Sequence, residues 1–329
     1  MSSEFPNVIV VPWAPSEYTS ACLRELDKTL NCPHFDHDKD PAEQLRDVEM
    51  VVDLGGRSPR HFIDTAVNTK FWQVIGTGLD HCDVPYILSK GIQLANTPGF
   101  TSAYGLSECA MMFILMLTRK YHQAKDNFNS KVFYEPLGST LDGMSLGMIG
   151  YGASARQLAK RAKSFGMRIE AIDVRPLETD VADDVRPDFY GMADQTDEVI
   201  ARCDFLSLHL HLTPETRHII DARRLSLMKP TSFVINVARG ALIDEDALAA
   251  AVLEGKIAGA GIDVFDEEPA DHDRPEYQLP NFITTPHSSG QTDETVRRRC
   301  GIVVENAKRM AAGQELLHLI DANMGLGKS

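Results

Sequence analysis

A chain of 329 residues and 36.4 kDa favours two domains of ordinary size, and 43% hydrophobic with 24% charged residues is a globular composition, not a disordered or fibrous one. The formal net charge of −14, from 33 basic and 47 acidic residues, argues against a general nucleic-acid or anionic-membrane surface, since both need clustered Lys and Arg. Cys22, Cys32, Cys82, Cys109, Cys203 and Cys300 form no Cys-x-x-Cys pair and match no zinc spacing, so no metal site is expected and a reduced, cytoplasmic protein is. No basic segment leads into a cleavable apolar core at the N-terminus, and the apolar run 109–117 falls short of the roughly 20 residues that span a bilayer.

Residues 7–12 read as a first strand and residues 16–30 as a helix. Buried strands are expected at 49–54, ending in Gly55-Gly56, at 71–75, ending in Gly76-Thr77-Gly78, and at 92–95, ending in Asn96-Thr97-Pro98-Gly99. Those glycines serve either as turn punctuation or as bare backbone facing a ligand. Residues 101–120 form a long apolar helix whose Met111, Met112 and Met116 are read as core, and 128–144 a mostly exposed stretch.

The next segment organises the chain. The apolar run Leu146-Gly147-Met148-Ile149 leads into Gly150-Tyr151-Gly152-Ala153-Ser154-Ala155, a Gly-x-Gly-x-x-Ala turn. A helical sequence follows, then a second apolar run ending on Asp173, 21 residues after Gly152 (173 − 152). Strand, turn, helix, strand and acid is the order of a dinucleotide-binding βαβ unit. Gly150 allows the sharp turn, Gly152 lets a pyrophosphate approach the backbone, and Ala155 permits close helix–strand contact. The helix N-terminus offers free N–H groups and a positive dipole end. A carboxylate at Asp173 accepts from ribose hydroxyls and repels a 2′-phosphate, so NAD is expected over NADP, with Arg175 weakening the preference.

The alternation continues with strands at 204–211 and 231–237, a helix at 244–253 and a strand at 258–264. A charged, proline-rich loop at 270–280, a short strand at 281–285 and a last helix at 293–312 complete the chain. Strands alternating with helices give an α/β class with parallel sheets. No fixed-period repeat or low-complexity segment is present.

Arg239, Glu268 and His287 each fall just past an expected strand, on the rim where a parallel sheet gathers ligands. Singly they read as a surface charge, a solvated acid and an ordinary hydrogen-bonding histidine. Together they supply what reduction of a 2-keto acid needs. Hydride addition leaves charge on the carbonyl oxygen, which wants a proton. A histidine, with a reference pKa of roughly 6.5, can give that proton or take it back. A carboxylate partner orients the ring and favours its charged form. An arginine holds the substrate carboxylate in a fork.

The segments Asn236-Val237-Ala238-Arg239-Gly240, Ile262-Asp263-Val264-Phe265-Asp266-Glu267-Glu268-Pro269 and Thr285-Pro286-His287-Ser288-Ser289-Gly290 resemble the signature motifs of the D-isomer-specific 2-hydroxyacid dehydrogenases. Gly76-Thr77-Gly78-Leu79-Asp80 and Asn96-Thr97-Pro98-Gly99, with Glu108 downstream, are similar to that family's N-terminal motifs. The resemblance implies a Rossmann-type doubly wound parallel-sheet cofactor domain at 99–290. It is inserted into a smaller flavodoxin-like α/β substrate domain at 1–98 and 291–329, with a cleft between the two and two long helices linking them. It also implies a homodimer, to which the apolar 109–117 helix contributes, acting on a small 2-hydroxy or 2-keto acid. Arg239 binds substrate, and Glu268 and His287 form the relay. NAD is met by Gly150, Gly152, Ala153, Ser154, Asp173, His209, His211, Val237, Ala238, Arg239, Asp263, His287, Ser288, Ser289 and Gly290. Gly55, Thr77 and Gly78 join Arg239 at the substrate.

Two departures from the family stand out. His209-Leu210-His211-Leu212-Thr213 carries His211 where the family often has Pro, which alters the cofactor pocket. Ser288 and Ser289 follow His287 where many members read Ile-Gly, which changes the packing around the nicotinamide. The extra C-terminal regulatory domain of some phosphoglycerate dehydrogenases is not expected. A corepressor-like NAD(H)-sensing module is the alternative with the same fold. Formate dehydrogenases also share it but lack the relay Glu. Arg57, Arg60 and Lys131 read as surface charges or as contacts to a substrate phosphate.

Overall fold

The computed structural model describes residues 5–321. The chain divides into two compact units, Met1–Ser102 with Gln291–Ser329, and Ala103–Gly290.

In the first unit β1 (Val8–Pro12), β2 (Met50–Leu54), β3 (Phe71–Val74) and β4 (Gln93–Ala95) lie side by side in that order, all parallel. Every residue of β2 and β3 is buried, which is why these strands read as near-continuous apolar runs: both sheet faces are covered. One face packs on Cys22 and Leu26 of the Glu17–Asp27 helix and on Val303 and Ala307 of the Asp293–Ala311 helix. The other packs on Phe62, Ile63 and Ile87. Outside β1 the chain makes one parallel bridge, Val10 to His34, with Val10 N donating to Pro33 O (3.1 Å) and Phe35 N to Val10 O (2.8 Å). Counting that bridge as a vestigial strand gives the 2-1-3-4-5 order of a flavodoxin-like sheet. Pro33 has no N–H to donate, which helps keep the strand to one rung.

The second unit holds a seven-stranded sheet. Its strands are β5 (Ser145–Ile149), β6 (Arg168–Ile172), β7 (Phe189–Gly191), β8 (Phe205–Leu208), β9 (Phe233–Asn236), β10 (Gly259–Ile262) and β11 (Phe282–Thr284). The order is β11-β10-β9-β8-β5-β6-β7 with every pairing parallel, so all carboxyl ends share one rim. The order reverses between β5 and β8, the switch point where such sheets bind ligands. Separate apolar clusters cover the two faces, the doubly wound arrangement. On one face the Ala103–Thr118 helix comes close enough that a Cβ on Gly261 of β10 would lie 2.6 Å from Phe113 Cβ. Glycine there lets the fully buried Phe113 ring sit directly on the strand.

Local structure differs from expectation in three places. The 101–120 helix stops at Thr118, Lys120 turns left-handed (φ 50°), and a second helix, Tyr121–Asn129, follows with no buried residue. The three-residue edge strand β7 was not anticipated. Of the methionines read as core, Met111 is buried and Met116 is partly buried against the core, but Met112 is exposed; Met112 and Met116 line an open apolar groove of about 500 Å³ with Leu115 and Phe165. All six cysteines are free, three buried and three partly exposed. Among the described residues no helix is long and apolar enough to cross a membrane.

Candidate active site

The second unit presents its ionisable and glycine-rich segments at the carboxyl rim, each carried there by a strand end. At the end of β5, Gly150 has φ +88°, and a Cβ on it would lie 2.5 Å from the His209 carbonyl oxygen, so only glycine permits the turn. Gly152 caps the Ala153–Ser164 helix without a side-chain partner, and a Cβ there would meet nothing within 4 Å. Among the described residues no acceptor meets the N–H groups of Gly152, Ala153 and Ser154. An open cradle, idle N–H donors and a helix dipole fit a pyrophosphate.

Two side chains brace this cradle. Asp173, after β6, is nearly buried; its Oδ2 accepts from Tyr151 N (2.8 Å) and its Oδ1 from Arg175 N (3.0 Å). Burial pushes this carboxyl up, but the Tyr151 and Arg175 N–H groups and the Arg175 guanidinium outweigh it and hold it below the usual range. It is therefore a carboxylate with lone pairs left for ribose hydroxyls. His209, after β8, lies between the Ser154 hydroxyl at Nδ1 (2.9 Å) and the Ser207 hydroxyl at Nε2 (3.0 Å). Burial pushes the imidazole down to about 4, so it is a neutral spacer that ties the helix start to β8. Both ring nitrogens are thus engaged by the protein. The His211 carbonyl accepts from the Thr216 hydroxyl (2.7 Å).

At the end of β9 the buried Asn236 folds the following turn onto itself. Its Oδ1 accepts from Ala238 N (3.1 Å) and its Nδ2 donates to Arg239 O (2.8 Å). Val237 and Ala238 are buried in that turn. A Cβ on Gly240 would fall 1.8 Å from the Phe265 carbonyl carbon, so the Arg239 turn and the 265–268 loop are packed backbone to backbone.

Asp263, after β10, is wholly buried and spends its carboxylate on the loop after β11. Oδ1 accepts from Thr285 Oγ1 (2.5 Å) and Ser288 N (2.8 Å), and Oδ2 from Ser289 N (2.9 Å). Its backbone carbonyl accepts from His287 N (2.7 Å). This holds His287 at φ +51°, a conformation side chains rarely adopt without such support. Ser289 is buried, while Ser288 and Gly290 are partly exposed.

The His287 ring meets Glu268. Nδ1 lies 2.8 Å from Oε2, and Oε1 accepts from Phe265 N (3.1 Å). Burial pushes Glu268 up, but the His287 hydrogen bond and charge, the Phe265 N–H and the nearby Arg239 charge bring it below the ordinary carboxylate range. An ionised acid, a histidine and an arginine on adjoining loops can hold an anion and move a proton.

In the first unit, Gly55 (φ +110°) is exposed at the end of β2. The fully buried Asp53 anchors that turn, accepting from Gly56 N (2.9 Å), Ser58 Oγ (2.7 Å), Trp13 Nε1 (2.9 Å) and Trp72 Nε1 (3.1 Å). Thr97 Oγ1 accepts from Gly76 N (3.0 Å), and Asn96 Nδ2 donates to Thr77 O (2.8 Å), so the Asn-Thr motif shapes the turn bearing Thr77 and Gly78. Arg60 is paired with Asp83 (2.6 Å), and Glu108 with Arg161 (2.6 Å). The bracing roles of Asn236, Thr285, Asp53 and Ser207 escaped the sequence reading, which named Asn236 and Thr285 only as parts of motifs. A polar residue at a strand end was their only signal.

Residues 111–289 match the family model for the D-isomer-specific 2-hydroxyacid dehydrogenase NAD-binding domain. The chain is 37% identical over 287 residues to a hydroxypyruvate reductase of Thermotoga maritima, covering 86% of this chain and 90% of that one. It is also 37% identical over 278 residues to a D-3-phosphoglycerate dehydrogenase of Methanocaldococcus jannaschii, covering 83% of this chain and 51%, about half, of that longer protein. The crystal structure of D-lactate dehydrogenase from Aquifex aeolicus, complexed with NAD and lactic acid, superposes with a TM-score of 0.77 at 27% identity, over 93% of this chain and 96% of that one. The chain belongs to the D-isomer-specific 2-hydroxyacid dehydrogenase family and is an NAD-dependent oxidoreductase of the CH–OH group.

Proposed function

We propose that this enzyme interconverts a small D-2-hydroxy acid and its 2-keto acid, with His287 as acid and base, Glu268 as its partner and Arg239 holding the substrate carboxylate. The observation that carries the reading is the 2.8 Å contact between His287 Nδ1 and Glu268 Oε2 at the carboxyl rim. With Nδ1 engaged by the carboxylate, Nε2 is the atom that exchanges a proton with substrate. In reduction Nε2–H protonates the carbonyl oxygen; in oxidation neutral Nε2 takes the hydroxyl proton. Glu268 stabilises the charged ring, and Arg239 fixes the acid so that the carbonyl faces it. Gly55, Thr77 and Gly78 add hydrogen bonds to the substrate carboxylate.

NAD(H), when bound, supplies or accepts the hydride. Gly150, Gly152, Ala153 and Ser154 would hold its pyrophosphate, and Asp173 its adenine ribose. His209 and His211, Val237 to Arg239, Asp263 and His287 to Gly290 would frame the pocket. Asp263 and His209 act there through the loops they hold, since their polar atoms are engaged by protein groups. A purely NAD(H)-sensing module has no use for a paired acid and histidine, which favours the enzyme.

The substrate class is tested by NADH oxidation with glyoxylate, hydroxypyruvate, pyruvate and longer 2-keto acids. Turnover is expected with at least one, and His287→Ala should lower kcat on the order of a hundredfold or more while NADH affinity holds. Silence across the panel, or full activity in the variant, would reject the assignment. Asp173→Asn keeps an acceptor for Tyr151 N–H and removes the charge that repels a 2′-phosphate. The NADH to NADPH ratio of kcat/KM should fall about tenfold, and an unchanged ratio would put selectivity elsewhere.

We also propose a homodimer. Met112 (40% exposed) and Phe165 (45%) border the groove, and Phe128 (65%), Phe133 (64%) and Leu137 (88%) are further exposed apolar side chains of the second unit. So much exposed apolar surface is the mark of a protein–protein contact. The mass in solution should be twice 36.4 kDa; a monomer at micromolar concentration would contradict it.

A further inference from the structure

Three consecutive arginines, Arg297 to Arg299, lie in the second turn of the Asp293–Ala311 helix, and they do not behave alike. Arg297 pairs with Asp293 (2.9 Å) and Glu294 (2.9 Å), and Arg298 pairs with Glu294 (2.7 Å). Arg299 points to the interior side and meets only hydroxyls. Its Nε donates to Thr101 Oγ1 (3.3 Å), one terminal nitrogen to Tyr18 Oη (2.9 Å) and the other to Thr77 Oγ1 (3.3 Å). Among the described residues no carboxylate lies within ion-pair distance of it. Burial pushes the Tyr18 phenol up to about 12 against the pull of Arg299, so Tyr18 is neutral and offsets no charge. A partly buried guanidinium surrounded by neutral groups has lost water without gaining a counter-charge, which is costly unless an anion arrives. Three of its five N–H donors are used, leaving two. Thr77, which accepts from Arg299, keeps its own hydroxyl proton to donate. It sits between Gly76 and Gly78 on a partly exposed turn at the carboxyl end of β3, shaped by Asn96 and Thr97.

We propose that Arg299, with the hydroxyls of Thr77, Thr101 and Tyr18, forms an anion-recognising centre in the first unit that takes a carboxylate or phosphate group of the substrate. The assignment rests on the keto-acid reading above in naming the substrate as the anion's source. Arg299 thereby supplies a positive charge beside the Gly76–Gly78 turn independent of Arg239. Carboxylate and phosphate share the chemistry that the centre reads, an oxyanion accepting hydroxyl and guanidinium protons.

The experiment compares the wild-type enzyme with Arg299→Gln, Arg299→Lys and Thr77→Val. KM and kcat are measured for hydroxypyruvate, for oxaloacetate with its second carboxylate, and for phosphorylated hydroxypyruvate. Oxalate and inorganic phosphate are used as thermal-shift probes without turnover. Arg299→Gln should raise KM about tenfold with kcat within about threefold and NADH affinity unchanged, Lys should recover part of the loss, and oxalate should protect wild type but not Gln. A rise for all three substrates assigns the centre to the carboxylate they share; a rise confined to the doubly anionic ones assigns it to the distal group. Unchanged KM and unchanged oxalate protection would overturn the proposal. So would equal losses in Gln and Lys that track a fall in melting temperature, the behaviour of a structural bolt. If Arg299→Gln does not fold, Thr77→Val, nearly isosteric, must still raise KM, and a KM equal to wild type would overturn the proposal. If no keto acid is reduced yet oxalate protection depends on Arg299, the anion centre stands and the dehydrogenase assignment fails instead.

Discussion

One buried carboxylate holds the rim of the second unit together. Asp263 has no solvent contact, yet it is met by a hydroxyl and two backbone N–H groups while its own carbonyl receives the His287 N–H. Breaking that set would leave a buried charge or several buried donors unsatisfied, which costs more than any one of the bonds contributes. The loop after β11 therefore has one low-energy course, and on it His287 adopts a left-handed backbone that turns its ring to Glu268. The neighbouring turn is held likewise by Asn236, and Gly240 lets it close on the loop that carries Glu268. Rigidity at these strand ends is what the proposed proton-transfer pair needs, because a hydrogen bond to the wrong rotamer is no relay.

Electrostatics divide the rim into neutral and charged parts. His209 is forced neutral by burial and serves as a rigid spacer between Ser154 and Ser207. Asp173 and Glu268 are both raised by burial and lowered further by their donors, so both are carboxylates at neutral pH. The first unit repeats the pattern. Asp53 is pushed up by burial and held by four donors under the Gly55–Gly56 turn, and Arg299 stands among hydroxyls near Thr77.

Features set by local sequence were legible without coordinates. The β5 strand, its glycine turn, the following helix and Asp173 form one short contiguous unit, and each residue type has a local reason to be there. Strand-end positions of Arg239, Glu268 and His287 were readable for the same reason. What escaped depends on packing between distant segments. Asn236 was read only as part of a motif and Asp263 as a cofactor contact; that they brace their loops shows only once β9, β10 and β11 lie side by side. The Tyr121–Asn129 helix has no buried face, so no apolar period announces it. The apolar run of residues 109–117 concealed that Met112 faces outward, since a helix apolar on all sides carries no sign of which side is covered.

The pairing of His287 with Glu268 is tested most directly by the pH–rate profile of keto-acid reduction in wild type and Glu268→Gln. Removing the negative charge beside the ring disfavours its protonated form, and reduction needs that form, so the falling limb should move to lower pH. Superimposable profiles would contradict the relay on which the functional assignment stands.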